Sequence, residues 1–108
     1  AGRPAAVLCA NGNVTLAATR ALQALGIRLG EVGLLGIDEL DWCSLVPPGI
    51  TTLAQPTEAI GRVAVQQLLA RLDGSGPTSP PRHVLFPPTL IERGSTRFAA
   101  CDIDNANI

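Results

Sequence analysis

Three polar side chains, Asn11, Asp38 and Gln55, each stand where a short apolar run stops. The runs are Ala5-Ala6-Val7-Leu8-Cys9-Ala10, Val32-Gly33-Leu34-Leu35-Gly36-Ile37 and Thr51-Thr52-Leu53-Ala54. If they are neighbouring parallel strands, their carboxyl ends share one sheet edge, where α/β proteins open a crevice for a polar ligand. A carboxylate there accepts hydroxyl hydrogen bonds, and an amide both donates and accepts. That inventory suits a polyol or sugar. The same residues also suit a purely structural purpose. Asn and Asp are favoured helix caps, and Gln55 beside Pro56 fits a solvated cap. Both readings stand on the residues alone. Trp42, close behind Asp38, either lines the ligand mouth or joins the core, and the core is the better fit.

The ingredients of an enzyme are missing. Asp38, Glu39 and Asp41 are clustered acids, yet no complementary group lies near them in sequence, and no nucleophile is paired with a base. The glycines between Gly26 and Gly36 lack dinucleotide or P-loop spacing. Cys9, Cys43 and Cys101 are widely spaced without a CxxC, and His83 has no companion histidine, so neither a zinc site nor a disulfide framework is expected. No catalytic residue, metal or cofactor is assigned. The cysteine usage points to a reducing, cytoplasmic setting.

The elements that must position these residues follow from period and punctuation. With 108 residues, 46% hydrophobic and 16% charged, the chain is one domain's worth of soluble globular protein with one core. Its net charge of −1 and its scattered basic residues, all arginine, argue against a nucleic-acid surface on this segment. No run is long and apolar enough for a membrane span. The absence of Met marks the chain as a piece of a longer protein.

After the first strand, Val14, Ala17, Ala18, Ala21, Leu22 and Leu25 recur at helical spacing, with Gly26 as a stop. Leu16 falls off this stripe, as an ordinary exposed leucine or as part of a subunit contact. Residues 40–46 suit a turn of helix before Pro47-Pro48-Gly49. A long helix opens at Gln55-Pro56-Thr57, with Ile60, Val63, Ala64, Leu68 and Leu72 on one face. Residues 73–81 have loop composition. Two extended runs, 82–86 and 89–93, flank Pro87-Pro88, and the tail from Ala99 to Ile108 reads as poorly ordered or docked by a partner subunit. The alternation of strand and helix predicts an α/β fold: a three-layer α-β-α arrangement around a small, mainly parallel sheet.

Taken in order, several segments resemble the lac/gal repressor family of bacterial transcription regulators. They are Cys9-Ala10-Asn11-Gly12, the stretch from Ala21 to Leu29, Gly33 to Glu39, Pro47 to Pro56, Ile60-Gly61 and Leu90-Ile91-Glu92-Arg93-Gly94-Ser95-Thr96. The resemblance covers about Pro4 to Thr96. It implies the C-terminal part of the family's effector-binding region, one subdomain of a type I periplasmic-binding-protein-like fold. Residues 1–96 would then form that subdomain and 97–108 a tail, with the N-terminal subdomain, hinge helix and DNA-binding helix-turn-helix lying outside this chain.

By the same resemblance Asn11 and Asp38 contact the effector, with Gln55 as a third contact, and Leu16, Leu45 and Val46 lie near a homodimer interface. One departure stands out: Gly12 replaces the acid that commonly follows the family's first-turn Asn or Ser. The implied function is sensing of a sugar, sugar acid or similar polar ligand by a cytoplasmic repressor that reaches operator DNA through its N-terminal domain. The rivals are a solute-binding protein of a sugar transporter, which shares the fold, and a small α/β enzyme.

Overall fold

The computed structural model describes residues 5–75 and 80–97. They fall into two compact units, 5–54 with 90–97, and 55–75 with 80–89. The first unit is built on parallel strands β1 (Ala6–Cys9), β2 (Gly33–Ile37) and β3 (Thr51–Ala54), in that spatial order. A short strand β4 (Thr89–Ile91) lies beside β3. Cys9 pairs with Gly36 and Ile37 with Leu53, so the strands end at nearly the same level.

Helix α1 (Gly12–Ala24) follows β1 directly. Its buried residues are Gly12, Thr15 and Thr19, not the expected stripe: Val14, Ala17, Ala21 and Leu25 are exposed, while Ala18 and Leu22 pack against the core and Leu16 is half-buried. The threonines can be buried because each hydroxyl returns to the helix backbone. Thr15 Oγ1 donates to the Asn11 carbonyl at 2.9 Å and Thr19 Oγ1 to the Thr15 carbonyl at 2.7 Å. Close approach to the sheet is set by Gly36, where an added Cβ would stand 2.5 Å from Thr15 Oγ1. A hydrophobic period does not register this face, because threonine is polar.

Cys9, Leu34, Cys43 and Ile50 form the buried core, with Val7, Leu29, Trp42 and Val46 packed around it. Full burial of a side chain the size of Leu34 or Ile50 stabilises by about 1.5–3 kcal/mol. The core is unusually polar at its rim, where Thr51, Thr52 and Ser95 are buried. Ser95, in a 3-10 turn at Gly94–Thr96, donates from Oγ to the Leu34 carbonyl at 2.6 Å and accepts from the Thr51 N–H at 2.8 Å. Thr51 Oγ1 accepts from the Arg93 N–H at 2.8 Å and lies 2.6 Å from Thr96 Oγ1. The returning segment Arg93–Thr96 is thus stitched across β2 and β3, and no buried side-chain polar atom among the described residues lacks a partner.

In the second unit, helix α2 (Thr57–Ala70) continues into a π-helical turn at Arg71–Ser75. No residue of α2 is buried, and of its expected apolar face Val63 alone is half-buried. The expected strand at 82–86 does not form. Val84 and Leu85 are 41% and 94% exposed, and the prolines at 80, 81, 87 and 88 bring no N–H to a ladder. Residues 76–79 of the loop expected at 73–81 and the tail from Ala99 lie outside the described residues, as does Cys101. No described helix is long and apolar enough to cross a membrane.

Candidate functional site

Parallel register decides where the polar strand ends stand. Because Cys9 pairs with Gly36, Asn11 and Asp38, each two residues further along its strand's path, leave the sheet at the same carboxyl edge. Asn11 is extended (φ −157°, ψ 174°) and caps α1, its Oδ1 accepting from the Val14 N–H at 2.9 Å. Such a cap stabilises by about 1 kcal/mol. The capping role is therefore real. It occupies the amide oxygen, while the Asn11 Nδ2 group has no partner among the described residues and retains its capacity to donate.

Helix α1 starts at Gly12 despite the missing acid. A Cβ at position 12 would stand 2.5 Å from Leu40 Cδ1, so the leucine that follows the acidic turn occupies the space a larger residue would need. The departure noted at Gly12 is matched by packing from the neighbouring loop.

Asp38 is half-buried and has φ of 87°, the one non-glycine residue in left-handed conformation among those described. Aspartate tolerates that region better than most residues. Its backbone N–H donates to the Leu53 carbonyl at 3.0 Å, extending the β2–β3 ladder by one bond.

The turn at Asp38 brings Glu39 against Thr52 and Arg93. Arg93 Nη2 is 2.6 Å from Glu39 Oε2, and Nη1 donates to Oε1 at 2.8 Å and to the Ile50 carbonyl at 2.8 Å. Thr52 Oγ1 also donates to Glu39 Oε1 at 2.8 Å. Hydrogen bonding from Arg93 holds the Glu39 carboxyl below the usual carboxylate range, against the opposing effect of partial burial and with help from Thr52. Sequence order does not mark Arg93 as a site residue, because its partner lies 54 positions away. The signal available was its place in the Glu92-Arg93-Gly94-Ser95-Thr96 segment.

The other expected site residues are distributed unevenly. Trp42, in the 3-10 turn at Asp41–Ser44, is half-buried and packs against the core cluster. Val46 also packs there, whereas Leu45 is 75% exposed. Gln55 is the first residue of the second unit and is exposed; its carbonyl accepts from the Thr57 N–H at 2.8 Å.

A cavity of about 770 Å³ lies at the opposite edge of the first unit. It is lined by the end of α1 and the segments that enter β2 and β3, away from Asn11 and Asp38. Cys9 and Cys43 are free and buried, and burial pushes both thiols up, which keeps them protonated. Among the described residues no cluster of His, Cys, Asp and Glu could hold a metal ion.

Residues 1–96 match the model of the periplasmic binding protein-like domain. The HTH-type transcriptional regulator PtxS of Pseudomonas aeruginosa is 58% identical over 94 residues, which is 86% of this chain and 27% of that protein. The lactose operon repressor of Rhizobium radiobacter is 31% identical over 96 residues, 88% of this chain and 82% of that protein. Among solved structures, the complex of the transcriptional regulator CelR with cellobiose is 33% identical, with a TM-score of 0.73 over 84% of this chain and 28% of that one. The chain thus spans about a quarter of the length of PtxS. The chain belongs to the periplasmic-binding-protein-like domain family of the lac/gal repressor regulators.

Proposed function

We propose that this chain is the effector-sensing and dimerisation part of a DNA-binding transcription repressor. The observation that supports the reading is the parallel register of β1 and β2, by which Asn11 and Asp38 both follow the carboxyl ends of their strands. The effector is a sugar, sugar acid or similar polar ligand, whose hydroxyls the Asp38 carboxylate accepts and to which the Asn11 Nδ2 group donates. Gln55 and, more weakly, Trp42 complete the proposed contacts. Cellobiose in the CelR structure supports the ligand class.

Leu45, exposed after the 3-10 turn, is the centre of the proposed homodimer interface, with Leu16 and Val46 beside it. Operator DNA is bound through an upstream helix-turn-helix region, and the protein works without catalysis or a cofactor in the cytoplasm. Effector regulates DNA binding by favouring one of two arrangements of the whole protein, which requires unequal affinity for the two. That the relatives include an HTH-type transcriptional regulator and a lactose operon repressor supports this reading over a transporter's solute-binding protein or a small enzyme.

Calorimetric titration of the full-length protein with ribose, lactose, cellobiose and D-glucuronate tests the assignment. A charge-assisted hydrogen bond contributes about 1.5–3 kcal/mol, so Asp38→Ala weakens the binding sugar by roughly 10- to 100-fold. Unchanged affinity in Asp38→Ala, together with operator binding indifferent to all four ligands, refutes the reading.

A further inference from the structure

Asp38 holds a backbone conformation that L-residues rarely adopt, with φ of 87°. Such a conformation persists only where the surroundings over-determine it. The surroundings here are supplied by the next residue. Glu39 is gripped by both terminal nitrogens of Arg93 and by the Thr52 hydroxyl. Arg93 is anchored in turn to the Ile50 carbonyl through Nη1 and to Thr51 Oγ1 through its own N–H. The Arg93 side chain is only 18% exposed and that of Glu39 30%.

An isolated surface ion pair would contribute little. This one is two-pronged, and each partner is fixed by a further hydrogen bond, the arrangement in which an arginine–carboxylate pair orients as well as attracts. Nor is the guanidinium needed to fasten the returning segment to the sheet, since Ser95, Thr51 and Thr96 already do so. What the Arg93 fork adds is a hold on the residue that follows Asp38.

We propose that Glu39 and Arg93 are positioning residues for the effector site: the fork pins Glu39, and Glu39 pins the left-handed turn that sets the Asp38 carboxylate at the sheet edge. The inference rests on the reading of Asp38 as an effector contact. Its consequence is preorganisation. The unliganded protein already holds Asp38 in place, so binding does not have to order the turn.

Two measurements on the full-length protein test it. Hydrogen exchange without ligand reads the turn itself. In Glu39→Gln, exchange of the Asp38 amide, which is bonded to the Leu53 carbonyl, accelerates about tenfold or more while the β1 amides keep wild-type rates. The second measurement is a double-mutant cycle with whichever of ribose, lactose, cellobiose or D-glucuronate binds the wild type. Glu39→Gln weakens binding about tenfold, and Asp38→Ala/Glu39→Gln is no weaker than Asp38→Ala alone. Arg93→Lys keeps the charge but not the fork. It reproduces both results and serves in place of Glu39→Gln should that variant not fold.

An unchanged Asp38 amide in a folded Glu39→Gln or Arg93→Lys protein overturns the positioning role. So does a Glu39→Gln defect that persists in full in the Asp38→Ala background. If Asp38→Ala leaves affinity unchanged, it is the effector assignment that fails, and the exchange data still decide whether the pair holds the turn.

Discussion

Ser95→Ala is the sharpest test of how this small unit holds together. Ser95 is fully buried, and its hydroxyl bridges two strands, donating to the Leu34 carbonyl at 2.6 Å and accepting from the Thr51 N–H at 2.8 Å. Removing it leaves the buried Thr51 N–H without its acceptor and takes one donor from the Leu34 carbonyl. A buried donor left unsatisfied costs about 1–3 kcal/mol and a lost hydrogen bond about 1 kcal/mol, so the substitution should destabilise by roughly 2–4 kcal/mol. Total stability for a domain of this size is about 5–15 kcal/mol, so the loss is a large fraction.

Urea unfolding followed by far-ultraviolet circular dichroism reads the effect. With a slope of about 2 kcal/mol/M, the midpoint falls by roughly 1–2 M at unchanged slope. Ser44→Ala is the matched control, because the Ser44 hydroxyl makes an exposed, long bond of 3.3 Å to the Asp41 carbonyl. It should stay within about 0.5 kcal/mol of the parent. A Ser95→Ala midpoint indistinguishable from that of Ser44→Ala would refute the reasoning.

Gly36→Ala drives a Cβ to within 2.5 Å of Thr15 Oγ1 and 2.9 Å of Thr15 Cγ2 and should destabilise by about 1–3 kcal/mol in the same assay. Thr15→Ala should recover part of that loss in the double variant, and additive effects would show that the two residues do not press on each other. Glu39 has its carboxyl lowered by Arg93, so the unfolded state takes up its proton first. The pair's contribution is therefore complete above the ordinary Glu value of 4.5 and is lost as pH falls through the lower folded value. Melting curves from pH 6 downward should show a fall of about 1 kcal/mol or less in excess of Glu39→Gln, and parallel curves for the two proteins would exclude it. Alkylation of the native protein with iodoacetamide, read by peptide mass spectrometry, should leave Cys9 and Cys43 unmodified until the fold opens. Rapid labelling at pH 7 would contradict their burial.

Much of the first unit was legible from the chain because its signals are local. Short apolar runs bounded by Asn, Gly, Asp and Pro mark β1, β2 and β3 to within a residue or two, and Asn11 announces the start of α1. Period alone also places Asn11 and Asp38 at strand ends, and parallel pairing of β1 with β2 then carries them to one edge.

Other features depended on groups that meet only when the chain is folded. The buried face of α1 is decided by threonines that satisfy their own hydroxyls, which a hydrophobic period does not register. The run at 82–86 has strand composition, yet a strand needs a partner ladder, and its flanking prolines offer none. Gly12 makes sense only beside Leu40, and Glu39, of the clustered acids, only beside Arg93. Composition and period determined which residues could line a polar edge, because those are properties of neighbours in sequence. The left-handed turn at Asp38 and the pair that grips Glu39 were decided by tertiary structure, because the electrostatic partner of residue 39 arrives from the returning segment after β4.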